Sequence, residues 1–139
     1  MQIVTDHAVD LAPEQVEGLD LHYVPLNIIL DGKTYHGGEE LPPKKFYEML
    51  AETESLPSTS QPSPVEFAEV YRELAKKDPD ILSIHVSAAL SGTYNSAQLA
   101  AEMVPEANIT LVDSKTVSCP LSWQVLAAAK AVNAGWPLE

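Results

Sequence analysis

Cysteine occurs once, at Cys119, so no internal disulfide can form and the chain carries no mark of an oxidising compartment; a cytoplasmic location is expected. Basic residues are also scarce. Eight Lys and Arg face twenty Asp and Glu, a formal charge of −12 over 139 residues. Without a basic stripe to release counterions, a nucleic-acid partner is excluded, and an anionic membrane surface is a poor fit. Only six glycines are present, and they form neither Gly-x-x-x-x-Gly-Lys nor Gly-x-Gly-x-x-Gly, which removes the usual phosphate-cradling signatures. The elbow Gly-x-Ser-x-Gly is missing as well. His7, His22, His36 and His85 lack the close pairing and cysteine company of a zinc site. No apolar run approaches the roughly 20 residues that span a bilayer, and no basic stretch followed by an apolar segment opens the chain. Catalytic residues, metal ions and cofactors are therefore not expected.

What is present is an alternation of strand and helix signals, with 45% hydrophobic residues, an ordinary share for one globular domain. Gln2-Ile3-Val4 reads as a strand breaking at Thr5-Asp6-His7, and Asp10 with Pro13 predicts a short helix ending near Gly18. Leu21 to Leu30 reads as a strand interrupted by Pro25, and Asp31-Gly32 turns it into a hairpin with Lys33-Thr34-Tyr35. Pro42-Pro43 starts a helix with Phe46, Met49 and Leu50 on one face; Ser55 to Pro64 reads as a loop. Ser63, Pro64 and Glu66 form a capping box before the stripe Phe67, Val70, Tyr71, Leu74. A strand over Ile81–Val86, a helix over Thr93–Val104 and a strand over Ile109–Val112 follow, then an apolar helix from Leu121 to Ala134 stopped by Gly135 and Pro137. This order predicts an α/β fold, a three-layer α/β/α arrangement around a central, mostly parallel sheet with a small β-hairpin insertion, and a ligand at the carboxyl ends of the strands.

Hydroxyl-rich stretches gather near those ends: Thr5-Asp6, Ser58-Thr59-Ser60-Gln61-Pro62, and Ser87 through Ala97. In the last, a strand passes through Ser91-Gly92 into a helix, leaving unpaired N–H groups and the positive end of the helix dipole for an anion. Thr59, Ser60, Ser91, Gly92 and Thr93 are the candidate ligand-binding residues, a set of neutral donors suited to carboxylate or phosphate oxygens. Leu90 and Tyr94 could add apolar wall. Asp6 is a turn former or an orienting group for nearby donors. His85, between Ile84 and Val86, is expected to be a hydrogen-bonded core histidine, His7 a loop residue at the first strand's tip, and Cys119 a packed small residue. The acidic surface leaves open an interaction module for a basic protein partner.

Ile3-Val4-Thr5-Asp6, Val24-Pro25-Leu26, Asp31-Gly32-Lys33-Thr34-Tyr35, Thr59-Ser60-Gln61-Pro62-Ser63, Leu90-Ser91-Gly92-Thr93-Tyr94-Asn95-Ser96-Ala97 and Val112-Asp113-Ser114 together resemble, in order and spacing, the amino-terminal half of DegV family proteins. The resemblance covers essentially the whole chain. It implies a fatty-acid-binding protein, not itself an enzyme, that holds a long-chain fatty acid and presents its carboxylate to a separate fatty acid kinase for acyl-phosphate formation. It also implies that Thr59 and Ser91 contact the carboxylate. The first-strand motif of the family usually has serine where this chain has His7. Family members are about twice this length, so residues 1–139 are expected to be the amino-terminal domain without the lipid-enclosing carboxy-terminal one, and the final Leu138-Glu139 is native sequence or a cloning scar. The alternative is a binding or sensor domain for a small carboxylated or phosphorylated metabolite at the same helix start.

Overall fold

The computed structural model describes residues 1–38 and 40–136. Strands β1 (Gln2–Asp6), β2 (Leu21–Val24), β6 (Asp80–His85) and β7 (Asn108–Asp113) form a parallel sheet in the order β2-β1-β6-β7. The small sheet is antiparallel, in the order β4-β3-β5, from β3 (Asn27–Leu30), β4 (Lys33–His36) and β5 (Ser58–Ser60). The four α-helices are α1 (Pro43–Glu52), α2 (Pro64–Ala75), α3 (Thr93–Glu102) and α4 (Cys119–Asn133).

The central strands β1 and β6 are buried at nearly every position, because both faces of the sheet are covered. On one face Val4 and Ile81 pack with Phe67, Tyr71 and Leu74 of α2 and with Ala97 and Ala100 of α3. On the other, Ile3, Leu82, Ile84 and Val86 pack with Leu121, Val125 and Ala129 of α4. These are the three layers expected. Alanines on α3 let that helix lie close to α2, and the capping box forms as read: Glu66 N–H donates to Ser63 Oγ (3.3 Å) and Ser63 N–H to Glu66 Oε2 (2.7 Å).

Several local readings change. The predicted helix after β1 is replaced by two short 3-10 turns, His7–Val9 and Pro13–Gln15. Asp6 makes the first turn by accepting from Ala8 N–H (2.9 Å), and Asp10 then takes a left-handed conformation (φ 51°) that halts any helix. Pro25 does more than interrupt a strand. It separates β2, in the main sheet, from β3, which leaves to found the small one. Part of the segment read as a loop pairs there as β5, with Ile28 opposite Thr59, so the insertion has three strands. α4 begins two residues early, at Cys119, which is exposed rather than packed because it stands on the helix's first turn. The stop assigned to Pro137 lies outside the described residues.

The strand order reverses direction between β1 and β6: the chain moves outward to β2 on one side and to β7 on the other. A crevice opens at such a switch point, beyond the carboxyl ends of the two strands, and ligands of open α/β sheets bind there. Asp6 and His7 stand at one lip, Val86 and Ser87 at the other.

Candidate functional site

The turn after β6 carries the Ser91 group. Ser87 C=O accepts from Leu90 N–H (2.9 Å) and Ser91 N–H (3.1 Å), which curls residues 87–91 back over the strand end. Ser91 Oγ lies 2.9 Å from Thr93 Oγ1 and accepts from Thr93 N–H (3.3 Å). Thr93 is fully buried and its hydroxyl is engaged by Ser91, so it supports the site instead of facing a ligand. Ser91 is half-buried and remains open to one. Gly92 is the N-cap of α3 and has no side chain to cap the first turn, which suits that helix end to an anion. Leu90, expected as apolar wall, points mostly to solvent at 67% exposure.

Thr59 and Ser60 reach the site by another route. They lie on β5 of the small sheet, not at a carboxyl end of the main sheet as their sequence position suggested. Thr59 shares a face with its partner Ile28, and both line a cavity of about 830 Å³ with Leu26, Leu41, Phe46 and His7. Its walls are mainly apolar, and its size falls in the range of small-molecule sites. The half-buried Phe46 belongs to α1, a helix without one fully buried residue. Of its apolar stripe Phe46 lines the cavity, together with Pro43 and Tyr47 of the same helix.

Gln61, directly after β5, joins the two groups. Its side chain lies against Gly92 so closely that a Cβ there would stand 3.0 Å from both Cδ and Nε2. The strand of Thr59 and the turn of Ser91 are therefore in contact, through a residue quoted in the Thr-Ser-Gln-Pro motif but absent from the candidate set. Side-chain packing of this kind leaves no periodic signal. The strand-to-helix join at Ser91-Gly92 did flag the glycine.

His7 is a cavity residue as well as a loop residue. Its ring stacks on Tyr23 with centroids 5.1 Å apart and planes at 23°. On its other side, a Cβ at Gly38 would lie 2.7 Å from Nε2, and Gly38 has φ +90°, so glycine is required there twice over. His7 Nδ1 is buried without a hydrogen-bonding partner. Burial lowers the His7 pKa from 6.5, opposed by the negative charge of Asp6 and by the Val24 backbone. His85 is the core histidine expected, fully buried and hydrogen-bonded through both ring nitrogens. Among the described residues no cluster of three or more His, Cys, Asp or Glu is placed to hold a metal ion, and no helix is long and apolar enough to cross a membrane.

A family model described as "Uncharacterised protein, DegV family" matches residues 1–139. A DegV domain-containing protein of Deinococcus radiodurans is 42% identical over 133 residues, 96% of this chain and 47% of its own length. One from Streptococcus pneumoniae is 39% identical over 139 residues, all of this chain and 50% of its own length. Among solved structures, a DegV family protein from Thermus thermophilus, described as fatty acid binding, is similar at TM-score 0.87 and 38% identity, over 99% of this chain and 49% of that one. DegV of Bacillus subtilis, described as a fatty acid binding protein, is similar at TM-score 0.90 and 34% identity, over 96% and 48%. The chain thus spans about half the length of the relatives it matches. On the match over all 139 residues, this chain belongs to the DegV family.

Proposed function

We propose that this chain is the head-group half of a fatty acid carrier, in which Thr59 and Ser91 hold the carboxylate and the cavity beside Ile28 and Phe46 takes the acyl chain. One observation carries the reading: Thr59 stands on the wall of an apolar cavity, and Gln61, two residues on, packs against the turn that presents Ser91. Neutral hydroxyls and free helix-start amides bind a carboxylate without reacting with it. Ser60 and Gly92 supply backbone to the same corner, and Thr93 braces Ser91.

Each methylene taken out of water contributes about 0.8 kcal/mol, so tight binding of a long chain needs nearly complete enclosure. We assign that closure to the part of the relatives that lies beyond the match. We further assign the chemistry to a separate fatty acid kinase, to which the carrier presents the carboxylate for acyl-phosphate formation, since the sequence has no phosphate-cradling glycine loop. The carrier is then not an enzyme, and it works where the kinase does, in the cytoplasm.

The test is lipid extraction and mass spectrometry of the purified protein, followed by titration of the delipidated protein with palmitate. Recovery of long-chain fatty acid, and palmitate binding that the methyl ester does not reproduce, are expected. Recovery of a small carboxylated or phosphorylated metabolite instead, or equal binding of acid and ester, would overturn the reading.

A further inference from the structure

We propose that His85 is a positioning residue: acting through Asp6, it holds in register the turn that carries Ser91. The role in ligand binding rests on the function proposed above, whereas the positioning itself does not.

A chain of four side chains crosses the core from α2 to β1. Tyr71 OH lies 2.8 Å from Ser83 Oγ, Ser83 Oγ 2.7 Å from His85 Nε2, and His85 Nδ1 3.0 Å from Asp6 Oδ2. All four residues are at 0% exposure. Packing alone does not call for such a chain, because a buried polar group left without a partner costs about 1–3 kcal/mol and an apolar side chain fills the same space.

Donor counting sets the direction. Among the described contacts Ser83 is the one acceptor available to the Tyr71 O–H. If Tyr71 donates to Ser83, the Ser83 hydrogen goes to His85 Nε2, and the ring proton of His85 must sit on Nδ1 and point at Asp6. The reverse order would leave a buried phenol hydrogen without a partner, which native cores avoid. Phe67 meets the His85 ring edge-on at 5.0 Å and 88°, further restricting its rotation.

Asp6 is where the chain acts on the site. Its Oδ2 accepts from His85 Nδ1–H and from Val86 N–H (3.0 Å), and its Oδ1 accepts from Ala8 N–H (2.9 Å). One carboxylate thereby ties the end of β1 to the end of β6. The very next residue, Ser87, is the one whose carbonyl curls Leu90 and Ser91 back. On the far side Asp113, at the end of β7, accepts from Ala88 N–H (3.2 Å), and Ser87 N–H donates to Thr116 C=O (2.9 Å). The Ser91 turn is thus gripped from both neighbouring strands, and among the described residues His85 is the only side chain hydrogen-bonded to the Asp6 carboxylate.

A residue that merely fills the core would be replaced adequately by leucine. A positioning residue requires a donor where Nδ1 stands, which asparagine supplies at the same distance from the backbone. The test is NMR of the 139-residue chain under conditions where wild type, His85→Asn and His85→Leu are all folded, combined with palmitate titration. In wild type the ¹⁵N shifts of His85 should mark Nδ1 as the protonated nitrogen. The asparagine variant should keep the Leu90 and Ser91 amide exchange rates near wild type, and the leucine variant should speed both by about tenfold or more. Palmitate affinity should follow the same order. A proton on Nε2 in wild type would overturn the proposal, as would equal exchange at Leu90 and Ser91 in the two variants. If wild type binds neither palmitate nor butyrate, the carrier function falls, while the tautomer and exchange measurements still decide the role of His85.

Discussion

Gln61 occupies the space that a side chain on Gly92 would need, with its Cδ 3.0 Å from the position of a Cβ there. Through that contact the segment that follows β5 meets the turn after β6, although the two lie about thirty residues apart in sequence.

Gly92→Ala is the least invasive way to part them. The backbone of Gly92 is ordinary (φ −72°), so alanine is sterically admissible there, and the added methyl must displace the end of a flexible, exposed side chain. Alanine is a poorer N-cap than glycine, so stability should fall by no more than about 1 kcal/mol. Palmitate affinity should drop several-fold, as read by calorimetry beside thermal unfolding of the same samples. Unchanged affinity would mean that the Gln61 contact does not shape the site.

Ser91 and Thr93 allow packing and binding to be separated. Ser91→Ala leaves the buried Thr93 hydroxyl without its partner at 2.9 Å, which should cost about 1–3 kcal/mol of stability. Adding Thr93→Val removes the orphaned group and should restore much of that loss, but not the roughly tenfold loss of palmitate affinity expected from one missing charge-assisted hydrogen bond. Urea denaturation and titration of the single and double variants check both halves. Recovery of affinity in the double variant would assign Ser91 a structural role only.

His7 should give the fold a pH dependence of known sign. Its folded pKa is lowered below 6.5, chiefly by burial, so the unfolded chain binds the proton more readily than the folded one. The stability that the neutral ring contributes is complete above about pH 6.5, declines as pH falls through the window between the unfolded and the lowered folded value, and levels off below it. Urea denaturation from pH 8 to pH 5 should show a shallower decline for His7→Ser than for wild type. Parallel curves would show that His7 titrates alike in both states.

Much of this arrangement was legible in the residue order. The βα alternation, the capping box at Ser63 and the buried run Ile81–Val86 are local signals, and they predicted the parallel sheet and its helices. What stayed hidden depends on contacts between distant segments. Ser58–Ser60 has no apolar alternation of its own and becomes a strand only because β3 offers an edge with Ile28 opposite Thr59. The helix expected from Asp10 to near Gly18 shortens to the 3-10 turn Pro13–Gln15, and Asp10 itself sits in the left-handed region (φ 51°), outside any helix. Thr93 looked like a donor for a ligand because its spacing matched Ser91, yet α3 turns it inward. His7 was visible as a departure from the family motif, but its place between Tyr23 and Gly38 required the fold.

The cavity itself can be probed without touching the hydroxyls. Ile28 lines it from β3 and is only half-buried, so Ile28→Glu should fold while placing a charge beside the bound acyl chain. An unpaired carboxylate there opposes the apolar tail, and palmitate binding should fall by about a hundredfold, whereas butyrate, which uses the head-group corner alone, should bind nearly as before. An equal loss for both ligands would place the tail elsewhere.

A crystal structure of the chain at saturating palmitate tests the central claim most directly. The account predicts the carboxylate oxygens within hydrogen-bonding distance, about 2.6–3.2 Å, of Thr59 Oγ1 and Ser91 Oγ, with the first methylenes running along Ile28 and Phe46. A carboxylate bound away from both hydroxyls, or a tail lying outside that cavity, would contradict it.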